Sequence, residues 1–158
     1  MDELARRIGQ GLKAAKALLV TAESCTGGWA AQVVTSVPGS SEWFDRGFVT
    51  YSNAAKQEML GVRDETLAAH GAVSEQTAQE MARGALARGK GTIAVSITGV
   101  AGPTGGSKDK PVGTVCFAWA HAKGLRSETL VFSGDREAVR RQSVVRALEG
   151  VLQTLDGG

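Results

Sequence analysis

The run Thr21-Ala22-Glu23-Ser24-Cys25-Thr26-Gly27-Gly28-Trp29 sets a hydroxyl, a thiol and two glycines at a junction. There the apolar stretch Ala17-Leu18-Leu19-Val20 gives way to helix-like sequence. A nucleophile at the end of a strand, facing a helix N-terminus, gains free backbone N–H groups for an oxyanion and a favourable helix dipole. The chain has two histidines and no metal-ligand cluster, so the chemistry is expected from hydroxyls, amines and amides. Ser24 reads as a nucleophile or as a helix N-cap. Thr26 can cap equally well, which frees Ser24. Cys25 is the better intrinsic nucleophile, and a helix N-terminus lowers a thiol pKa. A small cysteine beside a sheet is, however, as readily a packing residue. A thiol enzyme also wants a histidine, and both His70 and His121 sit in ordinary contexts.

A serine without histidine needs another base. Tyr51-Ser52-Asn53-Ala54-Ala55-Lys56 offers one, because Tyr51 and Lys56 straddle a strand-to-helix junction. A lysine base must be neutral, so burial or a nearby positive charge has to pull its pKa well below about 10.4. A tyrosine between amine and hydroxyl can relay the proton or anchor the amine. The alternative is a solvated lysine on a helix face and a tyrosine packed at a strand end. The Tyr-to-Lys gap is one residue longer than the Tyr-x-x-x-Lys pair of short-chain dehydrogenases. No glycine nucleotide fingerprint follows the first strand, and no Ser-x-x-Lys motif occurs.

The loop Thr98-Gly99-Val100-Ala101-Gly102-Pro103-Thr104-Gly105-Gly106-Ser107 is the second candidate. Its glycines let backbone amides approach an anion, although no Gly-Lys-Ser/Thr ends it; it reads equally as a connection before Pro111. Arg136, Arg140 and Arg141 open the last helical segment, where arginines meet a phosphate or solvent.

These loops need a scaffold. Leu4, Ile8, Leu12 and Ala15 recur at helical spacing over residues 2–16. A strand is expected at 17–22, a helix at 27–36 ended by Pro38-Gly39-Ser40, and a strand from Trp43 to Tyr51 with Gly47 as a bulge. Helices follow near 53–60 and 64–70, then a longer one capped by Ser74. Residues 92–98 give the strongest strand signal. Strands at 112–121 and 126–133 form a hairpin about Lys123-Gly124, and a helix from Arg136 to Leu155 turns Val144, Leu148, Val151 and Leu155 inward. Alternating helices and strands predict a layered α/β domain with a mixed sheet, in which loops leaving parallel strands converge at one edge.

Composition agrees. The 158 residues, 42% hydrophobic and 22% charged, suit one globular domain, 1–158, that buries about 68–70% of its unfolded surface. A net charge of +2 without a basic run argues against nucleic acid as a partner. No apolar stretch reaches the roughly 20 residues that span a bilayer, and no signal peptide is visible. Two cysteines make no disulfide scaffold, so a reduced, cytoplasmic protein is expected.

Taken together, AESCTGG, VPGSSEWFDRGFVTYSNAAK, GAVSE, SITGVAGPTGG, KPVGTV and FSGDREAVRRQ resemble the CinA C-terminal domain family, in order, over about residues 4–155. Within it they are most similar to stand-alone nicotinamide mononucleotide amidohydrolases. The resemblance implies a three-layer α/β/α fold with a mixed, mostly parallel sheet, assembled as a homodimer or higher homo-oligomer. It implies hydrolysis of the carboxamide of nicotinamide mononucleotide to nicotinate mononucleotide and ammonia, without cofactor. Carried over position by position, it makes Ser24 the nucleophile and Tyr51 and Lys56 its activating partners. It gives Ser41, Thr98, Gly99, Gly102 and Arg140 to substrate binding, with Arg136 and Arg141 as neighbours of Arg140 able to take its part. The strand-to-helix junction adds the amides near Cys25 and Thr26, which are expected to hold the oxyanion of the bound substrate. Two readings from other classes remain: a non-catalytic pyridine-nucleotide-binding module, and a competence-related interaction protein.

Overall fold

The computed structural model describes residues 1–157; Gly158, the last residue of the expected domain, lies outside the described residues. In chain order the elements are α1 (Asp2–Ala14), β1 (Leu19–Glu23), α2 (Trp29–Thr35), β2 (Phe44–Val49) and α3 (Asn53–Leu60). Then come α4 (Asp64–His70), α5 (Glu75–Arg88), β3 (Ile93–Gly99), β4 (Thr114–His121), β5 (Gly124–Val131) and α6 (Arg136–Gly157). The strands lie in the order β2-β1-β3-β4-β5. β1 pairs parallel with β2 and β3, while β3–β4 and β4–β5 are antiparallel, so β4 alone runs against the other strands. The sheet is mixed and the hairpin forms its antiparallel part, as the pattern predicts.

Strand alternation sorts the sheet into two unlike faces. Leu19, Ile93, Val95, Ile97, Val115, Phe117 and Trp119 point toward α1, α2 and α6, making the larger core. The opposite face carries Val20, Ala22 and Ala94 against α3 and α5, then Cys116, Ala118 and Ala120 against α5. Small side chains let α5 lie close, and Ser96 Oγ donates to Ala78 O at 2.6 Å. A Cβ on Gly84 of α5 would run into the Leu60 carbonyl oxygen, so α3 and α5 meet backbone to backbone. No helix among the described residues is long and apolar enough to cross a membrane.

Several details differ from the pattern, among them β5, which runs Gly124–Val131 rather than 126–133, with Gly124 already paired to His121. Ala15 is the exposed C-cap of α1 rather than part of its inward stripe, which Ala5, Ile8 and Leu12 supply. The irregularity in β2 falls at Asp45, where the register steps from Leu19↔Phe44 to Val20↔Arg46, and not at Gly47. Gly47 stays in register with Thr21; its missing side chain makes room for Thr21 Oγ1 and Ala31.

Candidate active site

β1 lies between β2 and β3, and every residue of it is buried. Past Glu23 the chain turns at once. Ser24 N donates to Ile97 O (2.9 Å), and Gly27 N closes a turn onto Ser24 O (3.0 Å). Gly27 and Gly28 both take positive φ (61° and 106°), which a side chain would strain. Gly28 is the N-cap of α2 and has no side chain to offer the helix amides. The cap comes from the strand instead. Glu23, 1% exposed, accepts from the Thr26 hydroxyl (2.6 Å) and Ala30 N (2.9 Å) on Oε1, and from Ala31 N (3.1 Å) on Oε2. Neither Ser24 nor Thr26 caps the helix with its side chain, so the capping alternative for both is corrected. Among the described residues, no backbone carbonyl accepts from the Cys25 and Thr26 amides, and the Cys25 amide faces its own thiol sulfur.

The second junction brings the amine. Ser52 N-caps α3, its hydroxyl accepting from Ala55 N (3.0 Å), and Lys56 lies in the first turn. Helical side chains lean toward the N-terminus, and the Lys56 chain folds back onto the segment before α3. Its Nζ lies 2.9 Å from Ser24 Oγ and donates to Thr50 O (3.0 Å) and Tyr51 O (3.4 Å). Lys56 is 1% exposed, and no carboxylate among the described residues pairs with it. Burial therefore pulls its pKa below the ordinary lysine value. A neutral amine has two hydrogens and one lone pair. The two carbonyls can only accept, so they take the hydrogens and leave the lone pair to the Ser24 hydroxyl. This is the constellation of a serine activated by a lysine.

Cys25 sits beside it, but burial pushes its thiol up to about 12, the Glu23 charge adding to the shift, so no thiolate nucleophile forms. Tyr51 is at the rim, 62% exposed, and its phenol oxygen accepts from Arg136 Nη2 (3.1 Å) rather than standing between amine and hydroxyl. Only its carbonyl touches Lys56. Thr98 is buried at the end of β3, where its hydroxyl donates to Ala72 O (2.9 Å) and ties the strand to the start of α5. Ser24, Cys25, Tyr51, Lys56, Thr98, Gly99 and Gly102 line one cleft of about 320 Å³, within the roughly 300–1,000 Å³ range of small-molecule sites. Gly102 has φ 84°, and its carbonyl accepts from Arg136 Nη1 (2.8 Å).

The remaining residues divide. Arg140 is not in this cleft: its Nε donates to Cys25 O (3.0 Å) and its Nη2 to Thr26 O (3.1 Å), holding the Ser24 turn from outside. It lines an adjoining depression of about 740 Å³ together with Trp29 and Arg136. Arg136 lines both spaces and is the last-helix arginine that reaches the cleft. Ser41 does not join the site. It is exposed in a 3-10 turn (Ser40–Glu42) before β2, and the six residues of β2, roughly 20 Å of chain, separate that end from Tyr51. Glu23 and Arg136 are the residues that sequence reasoning underweighted. Gly at the N-cap, which forces a cap from elsewhere, was the available signal for Glu23.

Residues 1–155 match the model of the CinA C-terminal domain. "Nicotinamide-nucleotide amidohydrolase PncC" of Escherichia coli (strain K12) is 59% identical over 154 residues, covering 96% of this chain and 92% of that protein. The protein of the same name from Pseudomonas putida is 53% identical over 150 residues, covering 95% and 94%. The crystal structure of competence/damage inducible protein CihA from Agrobacterium tumefaciens superposes with a TM-score of 0.94 at 47% identity, covering 98% of this chain and 94% of that one. The chain belongs to the CinA C-terminal domain family.

Proposed function

We propose that this protein hydrolyses the carboxamide of nicotinamide mononucleotide, giving nicotinate mononucleotide and ammonia. The observation that carries the reading is the buried, carboxylate-free Lys56 amine 2.9 Å from Ser24 Oγ. The names of the relatives supply the substrate class. Ser24 Oγ attacks the carboxamide carbon while its proton passes to Lys56 Nζ. The oxyanion forms against the Cys25 and Thr26 amides, where one donor is typically worth about 2.7–4 kcal/mol. The ammonium just made faces Thr50 O, Tyr51 O and Oγ, all acceptors, so the same seat holds the amine in both states. Lys56 returns its proton to the leaving nitrogen, the C–N bond breaks and ammonia departs. Water then gives a proton to Lys56 and attacks the Ser24 ester. Lys56 returns that proton to the departing Ser24 Oγ, and the product leaves as nicotinate with its carboxyl proton released to solvent.

Thr98, Gly99 and Gly102 shape the ring and ribose side of the cleft, and Arg136 takes the phosphate role that Arg140 was expected to fill. Tyr51 shapes the rim and holds Arg136 rather than relaying the proton. The pyridinium charge of the substrate adds to burial in keeping Lys56 neutral. This reading places the protein in the cytoplasm, as a homo-oligomer, with both cysteines free. Ammonia release from nicotinamide mononucleotide tests it, with abolition expected in Ser24→Ala. Saturable binding without turnover, unaffected by Lys56→Ala, would instead make the chain a nucleotide-binding module.

A further inference from the structure

We propose that Glu23 is a positioning residue for the Ser24 site, fixing the amides of Cys25 and Thr26 relative to Ser24 Oγ. The inference rests on the reading of Ser24 as nucleophile. Glu23 precedes Ser24 directly and is 1% exposed, in a strand paired on both sides. Its backbone is pinned as well, since Thr50 N donates to Glu23 O at 2.8 Å. From this fixed base the carboxylate crosses the turn and accepts from the Thr26 hydroxyl, Ala30 N and Ala31 N. The segment between, Ser24 to Gly28, is thus strapped at its far end by a residue at its near end.

Arg140 holds the same segment from the other side, through the carbonyls of Cys25 and Thr26. In a trans peptide the C=O and the following N–H point opposite ways. Holding Cys25 O toward Arg140 therefore turns Thr26 N–H away from it, while the Glu23–Thr26 bond stops the turn from rotating. All three partners of Glu23 are donors, which an acceptor-only carboxylate matches. A glutamine matches them badly. With its oxygen on Thr26 and Ala30, its NH2 meets Ala31 N–H; flipped, it can donate to the Thr26 hydroxyl but meets the Ala30 N–H. Glu23 also has no contact with Lys56, so it aligns the turn without supplying a counter-charge to the base.

The test compares wild type with Glu23→Gln well below the melting temperature of each, per folded molecule. It reads kcat and KM for ammonia release from nicotinamide mononucleotide, and the rate at which a fluorophosphonate labels Ser24. The phosphoryl oxygen of that probe occupies the oxyanion position and needs no substrate recognition. Loss of one well-aimed oxyanion donor predicts a drop of about 100-fold in kcat and in labelling rate. KM stays within about three-fold, because an interaction made only in the transition state has been lost. The alkaline rise of the pH–rate profile stays in place, because Lys56 is untouched. Thr26→Val, which removes one of the three donors, gives a smaller loss of the same kind and serves if Glu23→Gln does not fold. Unchanged kcat and labelling in the folded variants, or a rise in KM alone, would overturn the proposal and leave Glu23 as a helix cap. If wild type releases no ammonia but Glu23→Gln still slows labelling, the substrate reading fails and the positioning role stands.

Discussion

The β1–α2 junction buries a carboxyl side chain, Glu23, and the β2–α3 junction an amine, Lys56, and the two are given opposite surroundings. Glu23 meets a hydroxyl and two helix amides, all donors, with the positive end of α2 before it. Lys56 meets two carbonyls and one hydroxyl, with no anion and with the positive end of α3 behind it. A carboxylate is thereby satisfied as an ion, whereas an amine is satisfied as a neutral group that can take up a proton. At equal burial the proposed roles, a strap in one case and a base in the other, follow from the set of partners.

The comparison breaks most severely at Lys56. Lys56→Met keeps the length and burial but removes the lone pair, so kcat for ammonia release should fall at least about 10³-fold, within the range for a lost general base. Its melting temperature should not fall, because no buried ion pair is broken. Retention of a large part of the rate would show that Lys56 is not the base.

The pH dependence sharpens the same contrast. Because burial lowers the folded-state pKa of Lys56, kcat/KM should rise with pH and level off below the ordinary lysine value of about 10.4. Stability has the same sign. Between the lowered folded pKa and about 10.4 the unfolded chain holds the extra proton, so stability rises with pH by up to about 1.4 kcal/mol per unit. Lys56→Met should flatten that rise in urea unfolding series run at successive pH values.

Tyr51→Phe removes only a rim hydrogen bond to Arg136, worth about 1.5 kcal/mol or less, hence roughly tenfold in kcat/KM at most. A loss as deep as that of Lys56→Met would restore the phenol to the proton path. The smallest effect belongs to Cys25→Ala. A thiol pushed up to about 12 supplies no thiolate, so most of the turnover should remain, and collapse of the rate would make this a thiol enzyme.

Much of this was legible in the chain, for physical reasons. Helices such as Asn53–Leu60 and Asp64–His70 end at glycines, Gly61 and Gly71, and match their expected bounds. Residues 92–98 read as a strand because a strand covered on both faces carries small, apolar and β-branched residues without charge, here with Ser96 and Thr98 as its buried polar members. Ser24 and Lys56 stood out as residue types without a histidine between them. What stayed hidden depends on side-chain direction. Local rules assign a cap to the nearest Ser or Thr, whereas α2 takes its cap from a carboxylate seven residues before Ala30. The Tyr51 ring turns outward because the chain bends between β2 and α3, and residue order does not reveal which way it leans. Nor does residue order show that Ser41 and Tyr51 stand at opposite ends of one strand, or that Arg136 faces the cleft and Arg140 the adjoining depression.

The backbone contact between Gly84 and Leu60 reaches further than its place in the fold suggests. α3 carries Lys56 near its start and rests its last residue on α5 with no side chain as cushion. An alanine at Gly84 has no slot, so the end of α3 must shift and the whole short helix pivots with it. A methyl group at the opposite end of α3 would thus displace the Lys56 amine from Ser24 Oγ without touching the cleft.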